Sequence, residues 1–324
     1  MELKTIAVLG PGGNVGSAII SQLLKAGPAF TITAITRQTS SYTAPEGSNI
    51  THKAVDYDSF DSLVNVFTGQ DAVVNCVTGR ATQYDPSKLI IDAAVAAGVR
   101  FFFANEFVSN MDTDQFRRLP ESHAGAKLRI REYLGQLASD GEIAWTGLNG
   151  GPFFDMWLAK GPAGFDIANR CARIYGTGEN NLCWTPVPTI ALAAVNMLQK
   201  PDSVINRSIF ICPFPELNQK TILKALEDVL NTTFTVENID VKKINDNARI
   251  ALENGELAKA MKSLTISYQY YEGDTANELR HLVENDLVGV KMMSVEDAVR
   301  DTIAHYGKDV KVVEGMFRVE PCEI

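Results

Sequence analysis

Apolar and polar positions over about the first 150 residues fall into two alternating patterns. Short, nearly unbroken runs rich in β-branched and aromatic residues, at 6–9, 31–36, 50–55, 72–77, 101–104 and 143–148, read as strands. Stretches of helical period at 15–25, 60–67, 86–97 and 124–137 read as the helices between them. Strands that alternate with helices join through right-handed crossovers into a parallel sheet. Ala72-Val73-Val74 and Phe101-Phe102-Phe103 contain no polar position, as expected of strands covered on both faces. The pattern predicts an α/β fold built on a doubly wound parallel sheet.

Beyond residue 150 the rhythm breaks. Gly151-Pro152, Gly161-Pro162-Ala163-Gly164 and Gly176-Thr177-Gly178 mark loops rather than crossovers. Residues 189–199 return as a helix, and 208–212 as a strand able to extend the sheet. The stretches 219–230, 248–257, 275–285 and 295–305 look helical. The expected organisation is a nucleotide-binding domain over 1–155, with 183–212 returning to its sheet, and a smaller, mainly helical substrate lobe over 156–324.

Composition narrows the function. The chain of 324 residues is 45% hydrophobic, with 21% charged and 8% aromatic residues, which excludes global disorder. Thirty Lys and Arg stand against 39 Asp and Glu, a formal charge of −9. Sequence-independent binding to nucleic acid needs clustered cations, so no nucleic-acid partner is expected and any phosphate must be met locally. Cys76, Cys171, Cys183, Cys212 and Cys322 are odd in number and scattered, without metal-ligand spacing; no metal is expected, and a reducing compartment is. Met1-Glu2-Leu3-Lys4 runs straight into the first strand, leaving no room for a secretory apolar region, and no apolar run approaches the roughly 20 residues of a membrane span. The expectation is a cytoplasmic monomer or homodimer with a small-molecule substrate and no membrane partner.

The first strand leads directly into Gly10-Pro11-Gly12-Gly13-Asn14-Val15-Gly16 and then a helix. The spacing Gly10-x-x-Gly13-x-x-Gly16 suits a tight turn, close approach of backbone to a pyrophosphate, and close helix packing, with the helix N-terminal amides holding the phosphate. This is the dinucleotide turn of a Rossmann-type fold, in the strand-to-helix context that the motif requires. Strand two ends in Thr36-Arg37-Gln38-Thr39-Ser40, with no Asp or Glu for a ribose 2′-hydroxyl. Arg37 can instead grip a 2′-phosphate, which favours NADP(H) over NAD(H). Asp56 after strand three is placed near an adenine edge, and Thr78-Gly79 after strand four near a cofactor ribose; turn chemistry explains either equally well.

Ligands of doubly wound sheets lie beyond the carboxyl ends of the strands. Strand five ends in Ala104-Asn105-Glu106-Phe107, and a helix that follows carries His123, Lys127, Arg129 and Arg131. Lys127 can act alone as an acid/base group, or through His123 one turn away. On composition alone, Lys127, Arg129 and Arg131 read rather as the solvated face of a helix.

The set of Gly10-x-x-Gly13-x-x-Gly16, Arg37, Asn105-Glu106-Phe107 and Lys127 resembles the NmrA-like, isoflavone reductase-like branch of the atypical short-chain dehydrogenases, and fungal oxidoreductases of that branch in particular. Short-chain dehydrogenases use a Tyr-x-x-x-Lys pair; this chain has His123 at the Tyr position, and the resembling branch uses the Lys alone. The resemblance implies an NADPH-dependent reductase with Lys127 catalytic and with Asn105, Glu106 and Phe107 beside the cofactor. Two positions of the family's Ser-Glu-Phe-Gly motif differ, at Asn105 and Val108, which leaves the substrate unassigned. The stretch Asn149-Gly150-Gly151-Pro152-Phe153-Phe154 resembles the family's bend into the substrate pocket. With Trp157 and Tyr268-Gln269-Tyr270-Tyr271 it offers aromatic walls for a phenolic or conjugated substrate, or simple core packing. A dinucleotide-sensing regulator without turnover, and an isomerase or lyase with Lys127 as base, remain the alternatives.

Overall fold

The computed structural model describes the whole chain except residues 118, 122–125 and 273–278. In chain order, β1 (Thr5–Leu9), α1 (Asn14–Lys25), β2 (Thr31–Arg37), β3 (Thr51–Val55), α2 (Phe60–Phe67), β4 (Ala72–Asn75), α3 (Tyr84–Ala96) and β5 (Phe101–Ala104) follow the predicted alternation. A single turn α4 (Asp114–Arg117) precedes α5 (Ala126–Ser139) and β6 (Ala144–Asn149). Next come α6 (Phe154–Lys160), β7 (Phe165–Asp166), β8 (Cys171–Tyr175), α7 (Val187–Gln199) and β9 (Arg207–Phe210). The chain closes with α8 (Gln219–Leu230), β10 (Thr235–Ile239), α9 (Val241–Glu253), α10 (Leu257–Tyr270), α11 (Val295–Tyr306) and α12 (Glu314–Phe317).

Seven parallel strands form the main sheet in the order β3-β2-β1-β4-β5-β6-β9. Alternate side chains of β1 enter opposite cores: Ile6 and Val8 join Ile19, Leu23 and Ile190 of α1 and α7, whereas Ala7 and Leu9 join Leu63, Ile90 and Leu134 of α2, α3 and α5. Burial on both faces is why the strand sequences are almost wholly apolar. The chain leaves β1 toward β2 on one side and returns to β4 on the other, so a crevice opens between the loops after β1 and β4. Among the described residues no helix is long and apolar enough to cross a membrane.

The C-terminal lobe is mainly helical around a core of Phe154, Tyr175, Trp184, Phe214 and Tyr270, and it also holds a three-stranded sheet, β10-β8-β7. Those strands escape a reading by pattern because Arg173 sits buried in the middle of β8, paired with Glu237 (3.3 Å) and Glu320 (2.7 Å), while β10 is largely exposed. The helix expected over 248–257 is two helices, α9 and α10, parted at Gly255, whose φ of 77° no helix accommodates. Of the helix expected over 275–285, residues 275–278 lie outside the described residues, and Arg280–Leu282 forms only a short 3-10 turn.

Candidate active site

The glycine turn is dictated first by packing. Gly10 has a φ of 73°, and a Cβ on it would lie 2.5 Å from the Cys76 carbonyl oxygen; a Cβ on Gly16 would lie 2.2 Å from the Gly10 carbonyl. Gly13 is the N-cap of α1 and offers no side-chain cap, and the first turn holds no acidic residue, so the amides of Asn14, Val15 and Gly16 are left to an outside acceptor. The same turn opens onto a polar cavity of about 640 Å³ lined by Gly10, Gly12, Gly13, Arg37, Ser40 and Thr78, among others. No carboxylate stands among its lining residues. A free helix N-terminus, an arginine on the rim and no opposing acid fit a phosphate-bearing dinucleotide.

Asp56 and Gly79, expected at the cofactor, lie outside this lining, as do the side chains of Asn14 and Val15. The Asp56 carboxylate accepts from the Asp58 amide (3.0 Å) in the turn after β3, and Tyr57 takes the place on the cavity wall. Gly79 opens a 3-10 turn with a φ of 67°, and the Asn14 side chain donates to Met156 Sδ (2.9 Å). The Val15 side chain is core. Tyr42 and Tyr57 line the cavity without having been anticipated, because nothing local marks an aromatic in a loop as facing a ligand. The Tyr57 hydroxyl donates to the Ile35 carbonyl (2.9 Å), and burial pushes its pKa up to about 12.

Beyond β5 the backbone turns sharply at Phe107, whose φ of 43° is a left-handed conformation held by stacking on Phe103 (6.0 Å) and by its amide bond to the Leu148 carbonyl (2.9 Å). The preceding carbonyls of Asn105 (3.1 Å) and Glu106 accept from Lys127 Nζ, as does Asn105 Oδ1 (3.4 Å). Burial is the main cause that lowers the Lys127 pKa to about 8, partly opposed by the nearby charge of Glu106 and by Cys76. Burial likewise holds the Cys76 thiol up at about 12. Of the three cations on α5, only Arg129 is a solvated surface residue, over the Tyr84 ring and paired with Glu121 (2.6 Å). Lys127 and Arg131, four residues apart on one helix face, both turn inward.

Glu106 does not face either cavity. Its carboxylate, on a residue 2% exposed, accepts from Arg131 Nε (2.7 Å) and Nη2 (3.0 Å), from Ser208 Oγ (2.7 Å) and from the Asn149 amide. Asn149, expected at the substrate, is therefore a buried partner of Glu106, and the Gly150 carbonyl accepts from Thr185 Oγ1 (2.9 Å). Phe154 packs on Phe214 (5.1 Å) in the core of the second lobe, and Tyr270 stacks on Tyr175 (4.9 Å). His123 lies outside the described residues.

Lys127 stands instead in the wall of a second, mainly apolar cavity of about 250 Å³. Phe107, Phe153, Trp157, Tyr268 and Gln269 line it, together with Phe116 and Met156, which were not anticipated. Asn105 bonds one lining residue of each cavity: its Nδ2 donates to the Val77 carbonyl (2.7 Å) of the polar one, and its oxygens accept from Lys127 of the apolar one.

A model of the NmrA-like family matches residues 2–156. The oxidoreductase aprR of Aspergillus flavus is 32% identical over 255 residues, 78% of this chain and 82% of the relative. The chain belongs to the NmrA-like family. Its membership beside named oxidoreductases makes this NmrA-like protein an oxidoreductase. Its fold is that of isoflavone reductase, with a TM-score of 0.71 at 18% identity over 92% of this chain and 99% of the other. The NADPH-dependent quinone oxidoreductase of Escherichia coli, crystallised with NADPH, aligns at a TM-score of 0.68 and 20% identity over 91% and 99% of the two chains.

Proposed function

We propose that the protein is an NADP(H)-dependent reductase of a small aromatic or conjugated substrate, with Lys127 as the proton donor. The observation that carries this reading is the position of Lys127, bonded to the carbonyls that end β5 and exposed to an apolar cavity beside a polar one that fits a dinucleotide. The amides at the start of α1 would hold the pyrophosphate, and Arg37, with Ser40 beside it, the 2′-phosphate. NADPH, when bound, supplies a hydride to an electron-poor carbon. The chain's own part is to exclude water and orient the substrate, for which Phe153, Trp157 and Tyr268 provide flat apolar walls. Lys127 holds a proton at Nζ and can pass it to a substrate atom on which negative charge develops. With a pKa of about 8 the amine is mostly protonated at pH 7, yet gives up its proton far more readily than an exposed lysine.

The same lowered proton affinity suits a base, which keeps a non-redox isomerase or lyase as the second reading. Incubating the purified protein with NADPH and a panel of conjugated ketones and quinones, while following NADPH absorbance alongside product, separates the readings. NADPH consumed one for one with product supports the reductase. Product without NADPH loss supports the second reading, and binding with no conversion in either assay leaves a dinucleotide sensor.

A further inference from the structure

We propose that Arg131, which lines neither cavity, is a positioning residue for Lys127 and acts through Glu106. The inference rests on the reading of Lys127 as the reacting group. One face of α5 grips residue 106 at two points: the Lys127 ammonium binds its main-chain carbonyl, and the Arg131 guanidinium binds its carboxylate with a two-pronged fork. The fork fixes the carboxylate in direction as well as distance, which a single contact does not. Asn149 and Ser208, from β6 and β9, hold the same carboxylate from the other side. The sheet makes room for it: a Cβ on Gly147 would fall 2.3 Å from Glu106 Cδ, so this position in β6 admits only glycine while the carboxylate is in place. Asp112, on the surface side, binds the remaining Arg131 nitrogen (3.0 Å) and completes the cluster.

The consequence is that the peptide offering its oxygens to Lys127 is locked from both ends, at Glu106 by the fork and at Phe107 by its stacking on Phe103. Among the described residues the charged or titratable groups around the amine are Glu106 and Cys76 from the neighbouring strand ends, Arg131 on its own helix, and Tyr268 across the cavity. Charge and geometry can therefore be separated by substitution. Arg131→Lys keeps the cation and loses the fork; Glu106→Gln keeps the shape and loses the anion.

The test uses the full chain with steady-state NADPH oxidation and, independently, acylation of the Lys127 amine by acetic anhydride, read by peptide mass spectrometry across pH. Arg131→Lys is expected to lower kcat about tenfold, with KM for NADPH and the midpoint of Lys127 acylation nearly unchanged. Arg131→Gln is expected to lower kcat about a hundredfold, the scale of a displacement of about 1 Å. In Glu106→Gln the acylation midpoint falls by about one pH unit, since the anion that favours the ammonium is gone. The losses in kcat of Arg131→Gln and Glu106→Gln do not multiply in the double variant. Wild-type kcat in both Arg131 variants, or multiplying losses in the double, overturns the proposal. Should Arg131→Gln fail to fold, Ser208→Ala removes one bond from the same carboxylate and strands no charge; a several-fold loss in kcat supports the clamp, and none overturns it. Acylation needs no turnover. A changed Lys127 acylation rate in Arg131→Gln, in a protein without Lys127-dependent turnover, would retain the clamp and discard the acid.

Discussion

The two cavities are built in opposite ways. The polar one lies at the ends of β1 to β4, lined by the backbone of the glycine turn at 10–13 and by short polar loop residues such as Thr39, Ser40 and Thr78, with Arg37 among them. The apolar one is made of side chains from distant parts of the chain: Phe107 and Lys127 at the end of β5 and the start of α5, Trp157 on α6, and Tyr268 on α10. Backbone recognition serves a group whose phosphates never change, so few substitutions can retune it. A wall of separate side chains can be exchanged one residue at a time, and a substrate preference changed with it. Lys127 lines the apolar cavity and bonds Asn105, which also reaches Val77 of the polar one, and burial lowers the lysine's pKa to about 8.

If that division is right, the largest loss comes from Lys127. Lys127→Met should reduce NADPH-coupled turnover by about a thousandfold, within the range for removing a general acid, while NADPH binding by fluorescence titration stays within a few-fold. Gly16→Ala should come next. Its Cβ would meet the Gly10 carbonyl at 2.2 Å, and displacing the turn should both lower the melting temperature, by the roughly 1–3 kcal/mol of overpacking, and weaken NADPH together with NADH. Arg37→Ala should weaken NADPH alone, by about 1.5–3 kcal/mol or some ten- to a hundredfold, as for a charged hydrogen bond; equal losses for NADH would remove Arg37 from the 2′-phosphate. The smallest effect belongs to the apolar wall. Trp157→Ala should raise the substrate KM several-fold with little change in NADPH affinity, and a substrate preference that shifts toward bulkier molecules would sharpen the contrast between the two cavities.

The same contrast explains what could be read without the structure. The turn at 10–16, its strand and its helix are contiguous, so a spacing of glycines was enough to place them. The alternation of strands through β6 was equally legible, because the central strands β1, β4 and β5 are apolar along almost their whole length. Residues whose role depends on a distant partner were not. Glu106, which the resemblance puts beside the cofactor, is a buried ion-pair partner of Arg131, and Arg131, which composition allows on a solvated helix face, turns inward to make that fork. Phe153 and Phe154 are adjacent in sequence, yet one lines the cavity and the other the core, since successive positions at the start of α6 point different ways. Arg173 hid a strand by placing a charge in its middle, paid for by two carboxylates, one of them 147 residues away.

The claim on which the rest depends is that Lys127 gives up a proton during turnover. The most direct measurement is the rate of NADPH oxidation against pH, at saturating NADPH and substrate, in the wild type and in Lys127→Met. A proton donor of pKa about 8 predicts a wild-type rate that is sustained below that value and falls as pH rises through it, with no such limb in the residual rate of Lys127→Met. The same limb persisting in Lys127→Met would contradict it.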